Sequence, residues 1–168
     1  MTELTPKERL QPSLLDRLTD DEPERRTESA DKRVLSLQRL RESVRRDLGW
    51  LLNTPHLASL EDLSAFPEIR RSTLNYGIPD LAGRTASTVD RNAVAKEIKR
   101  AILDFEPRLL ERTVKVRALV DKAGHAPNSL KLAIEAHLWS QPLPLKLYFR
   151  TDVDLEDGEA AVEEVVEA

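Results

Sequence analysis

The residues best placed to do chemistry in this sequence are Glu106, Pro107 and Arg108, which stand together where a run of helical periodicity stops. Proline fixes the backbone between the two opposite charges, so carboxylate and guanidinium keep a defined relation. The planar fork of arginine can then take a partner carboxylate through two hydrogen bonds, which is recognition chemistry rather than bond-making chemistry. The competing reading is a local cap, with Arg108 turned back on the last carbonyls of the helix and Glu106 in water.

Catalysis has little to stand on elsewhere. His56, His125 and His137 lie in no metal-ligand spacing such as HExxH, and no carboxylate pair completes a site with them. The five glycines make no phosphate-binding loop, and no serine sits in a GxSxG elbow. We therefore expect no catalytic residue, no metal and no cofactor. Counting alone does not exclude a pair of carboxylates flanking a sugar, because acids are plentiful. A carbohydrate cleft would also draw on aromatic platforms, and the chain has two Trp and two Tyr.

Composition narrows the class further. The 168 residues are 40% apolar and 33% charged, enough for one packed domain with well-solvated flanks. An aromatic share of 4% and a mixed charge pattern argue against a nucleic-acid partner. The net charge is −4, yet residues 152–168 carry eight acids and no base, which leaves the rest of the chain net positive. There is no cysteine, so disulfide stapling and thiolate chemistry are excluded. With no leader-like start and no run of about 18 apolar residues, we expect a soluble cytoplasmic protein without direct membrane insertion.

The elements that would position Glu106 and Arg108 follow from periodicity. Residues 12–18 predict a short helix with Leu14, Leu15 and Leu18 on one side. Residues 19–30 are charged and almost free of apolar side chains, hence a linker. The short helix is then either a docking peg on a leash or a helix packed on its own domain. Residues 31–54 predict a long amphipathic helix with Val34, Leu37, Leu40, Val44, Leu48 and Leu51 as its stripe, capped by Asp31 and ended at Thr54-Pro55. Arg39, Arg41, Arg45 and Arg46 on its other faces read as solvated. A short helix over 67–75, a turn through Asn75-Tyr76-Gly77 and a polar loop over 81–88 come next. Residues 90–105 predict a second helix, with Val94, Ile98, Ile102 and Phe105 buried and Pro107 as its stop.

After this the period becomes two. Three alternating runs, around 113–120, 130–139 and 143–155, predict strands of an antiparallel meander. The expected class is α+β, two main amphipathic helices packed on a small antiparallel sheet, with a short N-terminal helix and an acidic C-terminal tail. The expected division is a docking segment and linker over 1–30, a domain over 31–155 and an acidic tail over 156–168. That tail is either disordered or sets Val162, Val165 and Val166 against a partner.

The segments LLDRLTDDEP (14–23), LRESVRRDLGWLLNT (40–54), STLNYGIPDLAG (72–83) and FEPRL (105–109), in that order ahead of a strand meander, resemble the TssE family. These are the type VI secretion relatives of the lysozyme-like phage baseplate wedge proteins. The resemblance spans about residues 10–155. It implies a non-enzymatic α+β wedge subunit that joins TssF and TssG, meets TssK indirectly, and helps start the TssB–TssC sheath from a baseplate docked at the inner-membrane complex. It also implies that Glu106-Pro107-Arg108 matches the family's Glu-Pro-Arg motif. Combined with the residue reading, Glu106 and Arg108 would clamp the subunit to the wedge, Leu14, Leu15 and Leu18 would be an extra anchor, and an open sheet edge would template sheath strands. The rival reading, from the family's historical label, is a peptidoglycan hydrolase.

Overall fold

The computed structural model describes residues 14–19, 24, 37–85, 88–119, 128–140 and 144–165. The expected linker and the expected cap Asp31 lie outside these residues, apart from Thr19 and Glu24. Within them the chain is mixed α+β. It comprises helices α1 (Leu14–Leu18), α2 (Leu37–Leu52) and α3 (Arg91–Phe105), followed by strands β1 (Lys115–Ala118), β2 (Ser129–Leu138), β3 (Leu145–Asp154) and β4 (Ala160–Glu164). The four strands pair in sequence order, each antiparallel to the next.

Of the expected stripe of α2, Leu40, Val44, Leu48 and Leu51 are all in the core, while Val34 and the Leu37 side chain lie outside the described residues. The helix ends at Leu52, two residues earlier than the sequence suggests. Asn53 and Thr54 turn their side chains back onto the carbonyls of Gly49 and Trp50 and close the last turn. Asp90 caps α3 by accepting from the amides of Asn92 and Ala93. Val94, Ile98 and Ile102 of α3 meet Leu132, Ile134, Leu147 and Phe149 of the sheet in one continuous core.

Residues 67–75 form two 3-10 turns, Ile69–Arg71 and Thr73–Asn75, in place of the expected helix. Ser72 between them is extended, and its hydroxyl accepts the Leu74 amide, so helical bonding cannot run through it. The following turn is tied to the end of α2: His56 donates to the Ile78 carbonyl and Ile78 to that of Thr54, both at 2.9 Å. Gly77 allows this approach. Its φ is +123°, and a Cβ there would fall 2.1 Å from the Thr54 carbonyl oxygen.

The acidic tail needs correction. Residues 160–164 are the fourth strand, with Ala160 and Val162 buried and Ala161 and Glu163 exposed. Side chains of α2 and of Asn53 just beyond it reach its outer edge. Asn53 donates to the Ala160 carbonyl and accepts from the Ala160 amide, both at 2.8 Å. Arg45 reaches the Val162 carbonyl at 3.5 Å, and Arg41 pairs with Glu164. Two of the arginines expected on a solvated face thus hold the last strand.

Two substitutions test this packing. Gly77→Ala should cost about 2–3 kcal/mol or more, because the backbone is strained and Thr54 must move. Chemical denaturation of the purified protein reads this directly. Thr151 on β3 is 2% exposed, and its hydroxyl has no hydrogen-bond partner among the described residues. Thr151→Val should therefore raise stability by about 1 kcal/mol in the same assay.

Candidate functional site

The helix stop at Pro107 makes a tight corner. Glu106 donates its amide to the Ile102 carbonyl and ends α3, while Leu109 donates to the Glu106 carbonyl. The corner is then pinned to the far end of β2, where Trp139 donates to the Arg108 carbonyl at 2.8 Å. Both side chains are consequently held against the body of the protein.

Glu106 is only 4% exposed, so the reading that left it in water is corrected. A carboxylate taken out of water needs a matching cation. Arg108 supplies it through two parallel bonds, Nε to Oε1 at 2.7 Å and Nη2 to Oε2 at 2.5 Å. The same Nη2 reaches Asp47 on α2 at 2.5 Å, and Nη1 donates to Ser43 Oγ at 2.9 Å. The bidentate engagement expected of the fork is thus made inside the chain. Four of the five guanidinium N–H groups are used in these contacts. Burial on its own would lower the Arg108 pKa, but the Glu106 carboxylate and then Asp47 outweigh it and raise it above the ordinary arginine value. Arg108 is a permanent cation.

The cluster continues across α2. Arg46 contacts Asp47 at 2.8 Å on one side and Asp16 of α1 at 2.8 Å on the other, while Ser43 donates to Asp16 at 2.8 Å. The order Asp16, Arg46, Asp47, Arg108, Glu106 is therefore an alternating chain of charge joining α1, α2 and the corner after α3. Arg46 also lies 4.9 Å over the ring of Trp50, which is 51% exposed beside it. Tyr76 stacks edge-on to Phe105 next to this group; its phenol is pushed up by burial first and by Asp47 and Glu106 second.

The α1 peg docks in an unexpected orientation. Asp16 contacts the body, and Leu15 and Leu18 are exposed at 43% and 73%. The Leu14 side chain lies outside the described residues. Of the sequence-identified residues, Glu106 and Arg108 meet directly, and α1 joins them through Ser43, Arg46 and Asp47. Those three were missed as site residues. Ser43 and Asp47 stand four apart on the border of the α2 stripe, a polar pair where an apolar flank is usual, and that was the available signal.

The family model for the baseplate wedge protein gp25 matches residues 38–143. This chain belongs to that family. The match runs from the first turn of α2 to the connection after β2, and so contains Ser43, Asp47, Glu106 and Arg108. No curated protein matches the chain. Family membership makes it a phage-tail-like baseplate structural subunit that works beside other baseplate components.

An open cleft of about 330 Å³ lies between α3 and the 3-10 turns, bordered by His56, Glu97, Arg100, Asp104 and Phe105. Asp104 is engaged there by Arg71 at 3.1 Å and Arg100 at 3.9 Å. Asp104 is thus held in ion pairs at the rim of this cleft. No described helix is long and apolar enough to cross a membrane.

Truncating Arg108 strands a buried carboxylate. Arg108→Ala should cost about 2–4 kcal/mol, and pairing it with Glu106→Gln should recover a large part of that loss. Denaturant midpoints of the two single variants and the double variant measure this coupling. Additive losses would show that the pair is not coupled.

Proposed function

We propose that this chain is the TssE-type wedge subunit of a type VI secretion baseplate, acting by binding and not by catalysis. The observation that carries the reading is the gp25-family match over a stretch whose Glu-Pro-Arg corner is a preformed, buried charge cluster. In this reading the subunit joins TssF and TssG directly and TssK indirectly. It sits on the cytoplasmic side, in a baseplate docked at the inner-membrane complex, and helps to start the TssB–TssC sheath.

The internal use of the Arg108 fork changes how such a clamp would work. Glu106 and Arg108 rigidify the corner, and the remaining Nη1 hydrogen, together with Pro107 and the exposed ring of Trp50, forms the face offered to the wedge. Rigid contact groups lose little entropy on binding, which favours a preformed face over a mobile one. Leu15 and Leu18, turned outward on α1, add a second apolar anchor for the same neighbours.

Co-expression with TssF and TssG followed by affinity purification tests the reading. The native chain should carry both partners. Arg108→Ala should lose them, and Leu15→Asp with Leu18→Asp should weaken them while leaving the fold intact by circular dichroism. A chain that purifies alone under conditions in which TssF and TssG pair with each other would overturn the proposal. Release of fragments from purified peptidoglycan strands, abolished by a single carboxylate change, would put the hydrolase reading in its place.

A further inference from the structure

One face of the sheet is the core face, where Leu132, Ile134, Leu147 and Phe149 are buried. The alternation of the strands puts their polar neighbours on the opposite face. There most cations stand beside an acid of the next strand. Lys131 is in register with Asp152, and Arg150 with Glu163.

The corner of this face around Glu135 departs from that balance. Arg117 reaches the Glu135 carboxylate at 2.8 Å and Lys115 reaches it at 3.9 Å. Tyr148 donates its hydroxyl to the same carboxylate at 2.5 Å, and the Lys146 amine lies 5.2 Å from the centre of the Tyr148 ring. The Tyr148 hydroxyl, and then Arg117, Lys115 and Lys146, hold the Glu135 carboxyl below the usual range. Three cations against one anion leave two positive charges in surplus. The Glu135 side chain is 15% exposed and those of Lys115 and Arg117 are 60% and 62% exposed, so the anion is enclosed while the cations still face water. Ala133, in register between Arg117 and Arg150, keeps the middle of the face low.

We propose that this corner of the sheet face binds an acidic helix of another protein, laid across the strands as a further layer. Helices are the elements that cover sheet faces, and a cationic face favours acids over apolar side chains. Lys115 and Arg117 stand about 7 Å apart along β1, and Lys146 on β3 lies two strand spacings across the sheet, about 10 Å. Glutamates three or four residues apart on one helix face repeat about every 5–6 Å. One of them would meet the Lys115–Arg117 pair and another, two turns on, would meet Lys146. Glu135 is then an internal competitor, holding the cations from below while the guest takes their exposed sides. The inference adds to the corner clamp of the proposed function and does not depend on it.

A capped alanine-based helical peptide with glutamates on one face, titrated into the full chain, tests it by fluorescence anisotropy and amide resonance shifts. The peptide should shift Lys115, Arg117, Glu135 and Lys146, and added salt should weaken its binding. Lys115→Glu with Arg117→Glu should lower its affinity at least about tenfold. Lys146→Gln should lower it too, and keeps the test decisive if the double reversal loosens β1 by circular dichroism. Glu135→Gln removes the competitor and should raise affinity about twofold to fivefold, the scale of one exposed ion pair.

Equal binding of the same peptide with glutamine for glutamate would overturn the proposal. So would shifts centred on Arg70 and Arg100 at the cleft, or unchanged or weaker binding by Glu135→Gln. Tighter binding of an oligonucleotide than of the peptide would assign the surface to nucleic acid instead. Self-association without peptide, abolished by the double reversal, would overturn it in favour of a second copy, whose acidic 152–159 segment would be the guest.

Discussion

A carboxylate at Glu106, taken almost wholly out of water, is the constraint around which this molecule is organised. Such a charge is tolerable only if its desolvation is offset by close, well-oriented donors. Arg108 offsets it from two residues away because Pro107 bends the chain at the point where α3 must stop. The guanidinium in turn needs Asp47 and Ser43, which fixes the rotation and distance of α2 relative to the end of α3. A short sequence motif thus sets the relation between the two main helices.

The same cluster explains why α1 has a place on the body at all. Five residues form too short a helix to persist by backbone bonding alone. Its contact with the domain runs through Asp16 to Ser43 and Arg46, leaving Leu15 and Leu18 outside. Two exposed leucines on so short a helix are apolar surface that its charged attachment leaves in water. The attachment is electrostatic and partly exposed, so salt weakens it while the core remains intact.

Much of the architecture was legible because it rests on periodicity. Leu40, Val44, Leu48 and Leu51 mark one face of α2, and the period-two runs through Leu132 and Phe149 mark strands whose burial leaves one register. The fourth strand was hidden because acids dominate residues 156–164, and the eye reads them as a solvated tail. Its signal was the pair Ala160 and Val162, two small inward residues whose edge is supplied by Asn53, far away in the chain. The corner that brings Glu106 and Arg108 close was legible from Pro107, but their mutual pairing was not. Whether a guanidinium reaches outward or folds onto its neighbour depends on Asp47 and Ser43, which proximity in sequence does not reveal. The 3-10 turns around Ser72 were lost for a related reason, since one hydroxyl choosing a local amide outweighs helix propensity.

Asn53 has one more consequence. By presenting a side-chain amide to Ala160 at 2.8 Å on both its N–H and its carbonyl, it imitates the strand that would otherwise lie there. No further strand can pair with Ala160 unless Asn53 is displaced, so at that point the flank is blunted by one of the molecule's own side chains.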